Sequence, residues 1–370
     1  MNDNIYRQLA EALDRLPNCF PRTKSNVELR LLKKLFSLED ASIAAQLTEK
    51  LIALDTIAET VGLSLEDTRV RLTKMAERGL VWLDKSAFNP DYDHDRLIQA
   101  ENPSFRLAPF IVGIFESTDG EWDHEFIHLL EEYLADGGAA GIMQPQPSIH
   151  RVLPAHGAVK FEQILPYEDV RELLLNPDNN KFRVRDCQCR KAQDFHGDRK
   201  CDFTLRACIS FSTLAHAPTP SKKVEITREE ALDILDQCRD AGMVHTVTNV
   251  VKGINYICNC CGCCCEMLRG IKEWGIEKSV ASSSYFAVID PDECEGCETC
   301  IERCQVDAIF EQDGVAVVDR ESCIGCGLCA TGCPNDAAKF HRKPEAEIIR
   351  PPKDFATWEH ERLHNRGLTK

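Results

Sequence analysis

Two cysteine runs near the C-terminus have the same spacing: C-E-G-C-E-T-C-I-E-R-C over residues 294–304 and C-I-G-C-G-L-C-A-T-G-C over residues 323–333. Both runs have the pattern C-x2-C-x2-C-x3-C, and the second begins 29 residues after the first. The same offset superposes Asp290 on Asp319 and Asp307 on Asp336. This segment is therefore an internal duplication, and its cysteine pattern decides the fold that we expect here.

The spacing is typical of cysteines that bind a pair of 4Fe-4S clusters. Three cysteines on one tight loop bind three corners of a cube, while the fourth, beyond a turn, reaches the other cube. We therefore expect the ligands to cross over between the runs. The predicted ligands of cluster one are Cys294, Cys297, Cys300 and Cys333, and those of cluster two are Cys323, Cys326, Cys329 and Cys304.

Between the runs, Asp313-Gly314 separates two apolar segments and predicts a β-hairpin. With this hairpin, residues 285–340 resemble bacterial two-cluster 4Fe-4S ferredoxin domains over their whole length. Gln305 departs from the pattern, because the resemblance favours a proline after the fourth cysteine, as Pro334 follows in the second run. A pair of zinc sites is disfavoured, since zinc ligands usually come as two pairs with a gap between them.

A second cysteine-rich region precedes this domain. D-C-Q-C-R begins at Asp186, and the run C-N-C-C-G-C-C-C covers residues 258–265. Cys258, Cys261 and Cys264 are again spaced C-x2-C-x2-C, so we expect this triple to bind a cluster together with one earlier cysteine. The ten candidate metal ligands of this region are Cys187, Cys189, Cys201, Cys208, Cys258, Cys260, Cys261, Cys263, Cys264 and Cys265.

These ten cysteines predict one or two further 4Fe-4S clusters. Two cubes need eight ligands, so two thiols would be left over. A single cluster with several free cysteines, a zinc site and a noncubane cluster also fit the pattern. Residues 181–206 carry 8 basic and 4 acidic side chains, among them Arg190 and Arg199. Positive charge beside an anionic cluster raises its potential, and an ordinary solvated basic loop is the alternative.

Residues 1–85 are predicted to form a helical domain that resembles a winged helix, with Ile57 to Gly79 in the place of the helix-turn-helix. Ser64 and Asp67 predict the capped start of its last helix, and Gly79 predicts its end. Between Lys24 and Lys85 there are 10 basic and 10 acidic residues, so the domain lacks the basic surface that phosphate contact requires. We therefore expect a docking or structural role rather than DNA binding.

The predicted fold class is α+β and multidomain. After the winged-helix-like domain come a linker and α+β region without readable chemistry (86–182), a central cysteine-rich α+β iron-sulfur domain (183–280), the two-cluster ferredoxin domain (285–341) and a C-terminal tail (342–370). In the central domain, Thr227 and Glu230 predict a capping box for an amphipathic helix that ends near Gly242.

The histidines are not predicted to bind metal. We assign four histidines to the surface or to loops, namely His124, His128, His150 and His156. No cysteine or carboxylate pattern at metal-ligand spacing accompanies them. His245 is predicted to be a core or capping residue, because no second ligand lies three to five positions further along the chain.

A net charge of −16 disfavours nonspecific binding to nucleic acid or to anionic lipid. The start of the chain lacks the basic and apolar regions of a signal peptide, and no apolar stretch approaches the length of a membrane span. We therefore predict a cytoplasmic protein in a reducing compartment. Residues 285–340 contain 12 acidic and 3 basic side chains, which suggests steering toward a basic partner surface or, alternatively, a role in solubility.

The whole chain resembles multicluster ferredoxin-type electron-transfer subunits. The resemblance implies a subunit of a larger, hetero-oligomeric oxidoreductase complex that passes single electrons between a partner protein, a flavoprotein or reductase subunit, and an acceptor. Two other classes remain open. One is a redox-sensing iron-sulfur transcriptional regulator, and the other is an enzyme whose central cluster is catalytic and has an open coordination position.

Overall fold

The computed structural model describes residues 2–84, 94–159, 165, 167–212 and 224–369. These residues form two compact units, one from the start of the chain to residue 146 together with residues 355–369, and the other from residue 147 to residue 354. The central cysteine region and the ferredoxin segment thus belong to the same unit. The boundary that we predict after Lys85 lies outside the described residues. Within the described part, no helix combines the length and the apolar character that a membrane span requires.

The first unit is mainly helical. Its elements are α1 (Asn2–Asp14), α2 (Val27–Leu35), α3 (Leu38–Ala44), β1 (Ile52–Ala53), α4 (Leu54–Val61), α5 (Leu65–Glu77), β2 (Val81–Trp82), α6 (His94–Ile98), β3 (Ser104–Leu107), α7 (Phe115–Ser117), α8 (His124–Tyr133) and α9 (Ala139–Met143). Irregular helical turns precede α7 and α9, and the three strands form an antiparallel sheet in the order β1-β3-β2.

The bounds predicted for α5 are confirmed. The hydroxyl of Ser64 accepts a hydrogen bond from the N–H of Asp67 at 3.1 Å, and Gly79 has a φ of 73° just beyond the end of the helix. A short turn joins α4 to α5, and the antiparallel β2–β3 pair follows. This order of elements is the one that a winged helix requires, and the assignment to that family stays a prediction.

The segment that we predict as a tail contains a helix that packs within the first unit, the C-terminal helix (Phe355–Asn365). Arg362 in this helix is fully buried, and its guanidinium donates to the carbonyl oxygens of Pro17, Ile142 and Pro145. The two ends of the chain are therefore joined in one core.

The second unit is built on a seven-stranded sheet in the order β10-β4-β8-β9-β6-β5-β7. All neighbouring strands are antiparallel except β10 and β4. The elements of this part are β4 (His150–Leu153), α10 (Val170–Leu175), β5 (Lys181–Asp186), α11 (Gln188–His196), β6 (Arg206–Ser212), β7 (Val224–Ile226), α12 (Arg228–Ala241), β8 (Val244–Thr248), β9 (Tyr256–Cys260), α13 (Glu266–Lys272) and β10 (Val280–Ala281).

Helix α12 begins and ends where we predict. The hydroxyl of Thr227 accepts a hydrogen bond from the N–H of Glu230, and the carboxylate of Glu230 accepts one from the N–H of Thr227. Gly242 ends the helix with a φ of 93°. The predicted capping box is confirmed.

The two faces of the seven-stranded sheet differ in chemistry, because successive side chains of a strand point to opposite sides. Ile209 of β6 and Ile257 of β9 belong to an apolar core that includes Leu235 of α12. Cys208 and Cys258, one position away on the same strands, therefore point to the opposite face. The sheet separates an apolar core on one side from cysteine side chains on the other.

The ferredoxin segment repeats one set of elements. It contains β11 (Tyr285–Ile289), α14 (Thr299–Glu302), β12 (Ile309–Gln312), β13 (Val315–Val318), α15 (Leu328–Gly332) and β14 (Ala338–Arg342). Strand β11 pairs antiparallel with β14, and β12 pairs with β13. Asp313 and Gly314 have φ values of 52° and 83°, as a two-residue hairpin turn requires. The predicted hairpin is confirmed.

Candidate metal centres

The ferredoxin segment contains two cavities, each lined by four cysteines. Three cysteines of each set come from one run and the fourth comes from the other run. The first cavity is lined by Cys294, Cys297, Cys300 and Cys333, and the second by Cys304, Cys323, Cys326 and Cys329. This is the arrangement that the crossover prediction requires, and the ligand assignment itself stays a prediction.

The aspartates of the duplication shape the backbone beside these cavities. Asp307 and Asp336 have φ values of 56° and 54°, a left-handed conformation that aspartate tolerates better than most residues. Directly after Asp307, the N–H of Ala308 donates to the Sγ atom of Cys304 at 3.1 Å. Hydrogen bonds to cluster sulfurs tune the reduction potential. The left-handed conformation at these two positions therefore explains why aspartate occurs in both repeats.

The burial of these thiols fits metal binding. Burial raises the pKa of Cys304, and it raises the pKa of Cys329 to about 12. Such thiols stay protonated at neutral pH unless a positive charge displaces the proton. A coordinated metal provides that charge, because cysteine binds metals as the thiolate.

Four cysteines of the central region form a compact set, which we call the four-thiol group. The Sγ atoms of Cys201, Cys261, Cys263 and Cys264 all lie within 4.8 Å of one another. The Sγ atom of Cys201 lies 3.8 Å from that of Cys261 and 3.8 Å from that of Cys264. The Sγ atoms of Cys263 and Cys264 are 3.6 Å apart.

The other six candidate cysteines form a chain of neighbouring thiols, which we call the six-thiol group. In the order Cys187, Cys189, Cys265, Cys260, Cys258 and Cys208, each neighbouring pair of thiols interacts closely enough to shift a cysteine pKa. Cys258 and Cys260 share one face of β9, and the pairing of Ile209 with Ile257 brings Cys208 opposite Cys258. Cys187 and Cys265 directly precede α11 and α13.

The structure does not bring together the three cysteines of the triple predicted from the C-x2-C-x2-C spacing. Cys261 and Cys264 belong to the four-thiol group, whereas Cys258 contacts Cys208 and Cys260. The prediction assumes a loop, but Cys258 lies in strand β9, where residues two apart share a face. Reading this segment as a strand would have separated Cys258 from the other two cysteines.

Arg190 lies beside both groups and is fully buried. Its Nη1 atom donates to the carbonyl oxygen of Asn259 at 3.0 Å and to the Sγ atom of Cys261 at 3.6 Å. Burial lowers its pKa, but the interactions with the side chains of Cys187 and Cys261 outweigh burial and hold the pKa of Arg190 above its usual value. The alternative of a solvated basic loop therefore does not apply to this residue.

The remaining donors of Arg190 point to an anionic neighbour. Its Nε and Nη2 atoms have no hydrogen-bond partner among the described residues. A buried guanidinium with unmet donors is costly unless an anion lies close to it. Metal-bound thiolates and the sulfides of an iron-sulfur cluster are such acceptors, so the residues of the central region fit an anionic metal centre.

Residues on both sides of Cys304 attach the ferredoxin segment to the central region. The guanidinium of Arg303 donates to the carbonyl oxygen of Asp240 at 2.8 Å, at the end of α12. The ammonium of Lys272, at the end of α13, lies 2.9 Å from the carboxylate of Asp307. The Cys304 side of the second cavity thus faces the central region.

Gln305 contacts the loop of the four-thiol group directly. Its Oε1 atom accepts a hydrogen bond from the N–H of Gly262 at 2.8 Å, in the middle of the loop that carries the four-thiol group. A Cβ atom at Gly262 would overlap the carbonyl oxygen of Gln305, so only glycine fits there. The glutamine that replaces the expected proline therefore has a packing role, and it also carries a backbone N–H that proline lacks.

We expect Gly262→Ala to destabilise the second unit by about 1–3 kcal/mol, the usual cost of overpacking a fitted contact. The melting temperature of the anaerobic holoprotein measures this change. Gly120→Ala is the control, because a Cβ atom at Gly120 would meet no atom within 4 Å. Equal melting temperatures for the Gly262→Ala protein and the wild type would contradict the fitted contact.

The histidines that we predict not to bind metal differ in their burial. His245 is buried, and its Nδ1 atom lies 2.6 Å from Oδ1 of Asn259, so the predicted core position is confirmed. The loop position predicted for His150 is wrong, because it is a buried residue of β4 whose Nε2 atom lies 2.8 Å from the hydroxyl of Tyr256. Burial lowers the pKa of His150 and that of His245 to about 4. The exposed histidines of this set are His124, His128 and His156.

Comparison with known proteins identifies one segment of the chain. The family model described as a 4Fe-4S dicluster domain matches residues 287–340. No curated protein and no solved structure matches the chain. The matched segment contains all eight cysteines of the two runs. The C-terminal segment is thus similar to 4Fe-4S dicluster domains, and it holds two 4Fe-4S clusters.

Proposed function

We propose that the chain is an iron-sulfur electron-transfer protein that serves as the ferredoxin-like subunit of a larger cytoplasmic oxidoreductase complex. The main support is that two cavities of the dicluster segment are each lined by four cysteines. A cluster whose irons all have cysteine ligands transfers single electrons and binds no substrate.

We assign a further 4Fe-4S cluster to the six-thiol group. This group offers more than the four thiolates that a cube needs, and Cys260 and Cys265 are buried within it. The charge of Arg190 interacts with Cys187, and its unmet donors would give an anionic cluster hydrogen-bond partners. A cluster bound by thiols from the starts of α11 and α13 and from strands β6 and β9 would also stabilise the fold of the central region.

The two cavities of the ferredoxin segment differ in their surroundings. Around the second cavity, Arg303 and Asp307 bind the central region. Around the first cavity, Cys297 is exposed, and so are the neighbouring residues Glu295 and Glu298. A partner protein can therefore approach the first cavity, while the second faces the interior of the unit.

The exposed acidic side chains around the first cavity define a docking surface for a basic partner, which we call the acidic face. Glu295, Glu298 and Glu302 belong to it, and all three are exposed. Opposite charges on two proteins accelerate their encounter, and the effect weakens as salt shortens the screening length. A flavoprotein or reductase subunit with a basic surface is the kind of partner that fits.

Reversing the charge at Glu295, Glu298 and Glu302 to lysine is expected to slow electron transfer by about tenfold or more at low salt, because steering changes association rates by 10 to 1000-fold. The measurement is the second-order rate of cytochrome c reduction, with cytochrome c as a basic one-electron acceptor. For the wild type, the rate should fall as ionic strength rises from about 0.01 to about 0.15 M, where the screening length decreases from about 30 to about 8 Å.

The matched control reverses three exposed glutamates of the first unit, Glu11, Glu59 and Glu77, and so makes the same change in net charge. This control should retain most of the wild-type rate. A rate that is indifferent to salt and to reversal of the acidic face would show that electrons leave by another surface. An equal loss in the control would show that only net charge matters.

A further inference from the structure

We propose that the four-thiol group is a site for a single divalent metal ion, with zinc as the expected ion, and not the ligand set of a 4Fe-4S cluster. Its ligands are Cys201, Cys261, Cys263 and Cys264. The proposal is independent of the cluster assigned to the six-thiol group, because the two groups share no cysteine.

The distances between the sulfurs carry the proposal. In a tetrahedral site with metal-sulfur bonds of about 2.3 Å, the sulfurs lie about 3.8 Å from one another. The Sγ atom of Cys201 lies 3.8 Å from that of Cys261 and 3.8 Å from that of Cys264, and no pair in the group exceeds 4.8 Å. The four sulfurs therefore leave room for one ion at their centre.

A cube needs a wider arrangement, because each thiolate binds a different iron and the irons and sulfides fill the space between them. The cysteines of the dicluster segment show this difference. They line cavities, and neither of their sets is as compact. Among the described residues, the four-thiol group is the one set of three or more candidate ligands whose atoms all lie within 4.8 Å of one another.

Two neighbouring residues both belong to the group, which also favours a single ion. The Sγ atoms of Cys263 and Cys264 are only 3.6 Å apart. This spacing suits two ligands of one ion and is too short for two corners of a cube. Cys201 reaches the same point from the segment between α11 and β6, so the ion would tie two distant segments together.

The surrounding charges fit four thiolates around a divalent ion, a complex with a net charge of −2. The guanidinium of Arg190 donates to the Sγ atom of Cys261 at 3.6 Å. The guanidinium of Arg199 donates to the carbonyl oxygen of Cys201 at 2.8 Å. Two positive charges thus lie beside the site, and such neighbours offset the cost of partly burying a charged metal complex.

The ion would also fix the ferredoxin segment in place. Gly262 lies between two ligands of the group, and its N–H donates to Gln305, the residue after Cys304. Metal binding orders the loop that presents this N–H, because a tetrahedral site holds each ligand in a defined position. The site is therefore expected to stabilise the contact between the two cysteine regions.

The test is metal and sulfide analysis of the full-length protein purified without oxygen. The wild type should contain one zinc per chain, or one iron beyond the number that matches acid-labile sulfide. Cys201→Ser and Cys263→Ser should each lose that one ion and keep the sulfide content unchanged. Cys238→Ala is the control, because Cys238 is buried among apolar residues outside both groups.

Loss of about four iron atoms together with about four sulfides in Cys201→Ser would overturn the proposal, since that loss is a whole cube. A wild type without zinc and without excess iron would overturn it as well. Should both serine variants fail to fold, spectroscopy of the wild type decides. X-ray absorption at the zinc edge must show a lone metal with four sulfurs at about 2.3 Å. If the ion is iron, Mössbauer spectra must show one isolated iron site with the parameters of tetrahedral thiolate ligation, separate from the cluster irons. A neighbouring metal atom would contradict the single-ion site.

Discussion

Cys304→Ala is expected to remove the cluster of the second cavity, about four iron atoms per chain, although Cys304 belongs to the first cysteine run. Its side chain lines the same cavity as Cys323, Cys326 and Cys329. Its Sγ atom also accepts the N–H of Ala308 at 3.1 Å, so the backbone there is shaped around this sulfur. Iron content and the electron paramagnetic resonance spectrum of the reduced protein measure the loss.

The crossover is tested by comparing spectra in pairs. Cys304→Ala and Cys323→Ala should leave the same residual spectrum, because each removes a ligand of the second cavity. Cys294→Ala and Cys333→Ala should leave the other spectrum, because both residues line the first cavity. If Cys304→Ala instead resembles Cys294→Ala, the ligands do not cross over.

Cys260→Ala is expected to cost the central region its cluster, again about four iron atoms, while the spectra of the dicluster segment persist. Cys260 is in the middle of the six-thiol chain, where its thiol contacts both Cys258 and Cys265. Its Sγ atom also lies 3.3 Å from the hydroxyl of Thr246. Cys238→Ala is the matched control in the same region, and it should keep all its iron. Unchanged iron in Cys260→Ala would mean that Cys260 is not a cluster ligand and that any cluster there is held by other thiols of the group.

The dicluster segment could be predicted because its pattern is local. Both runs and the hairpin between them lie within 56 residues, and each element follows from neighbours along the chain. The duplication also indicates residues that the backbone requires, such as Asp307 and Asp336, which have nearly equal positive φ values. Spacing alone was sufficient in this part of the protein.

The spacing of the central cysteines could not predict how they divide into two groups, because the groups depend on strand register and on contacts between distant segments. Cys208 meets Cys258 only through the pairing of β6 with β9, and Cys201 joins Cys261 across 60 residues. The alternation of side chains along β9 is a signal that could have placed Cys258 and Cys260 together. No local pattern could have assigned Cys201.

The role of Gln305 likewise depends on a contact between distant parts of the chain. Its sequence position predicts an effect on potential through an added N–H. The structure adds the hydrogen bond from Gly262, which lies 43 residues earlier. The buried position of Arg190 was missed for the same reason, since the charge of a segment does not reveal which side chain turns inward.

The most direct test is the acid-labile sulfide content of the full-length protein purified without oxygen. Sulfide counts cluster sulfur alone and ignores any single zinc or iron ion at the four-thiol group. We predict about 12 sulfides per chain, about eight from the dicluster segment and about four from the six-thiol group. A value of about eight would contradict a further iron-sulfur cluster in the central region.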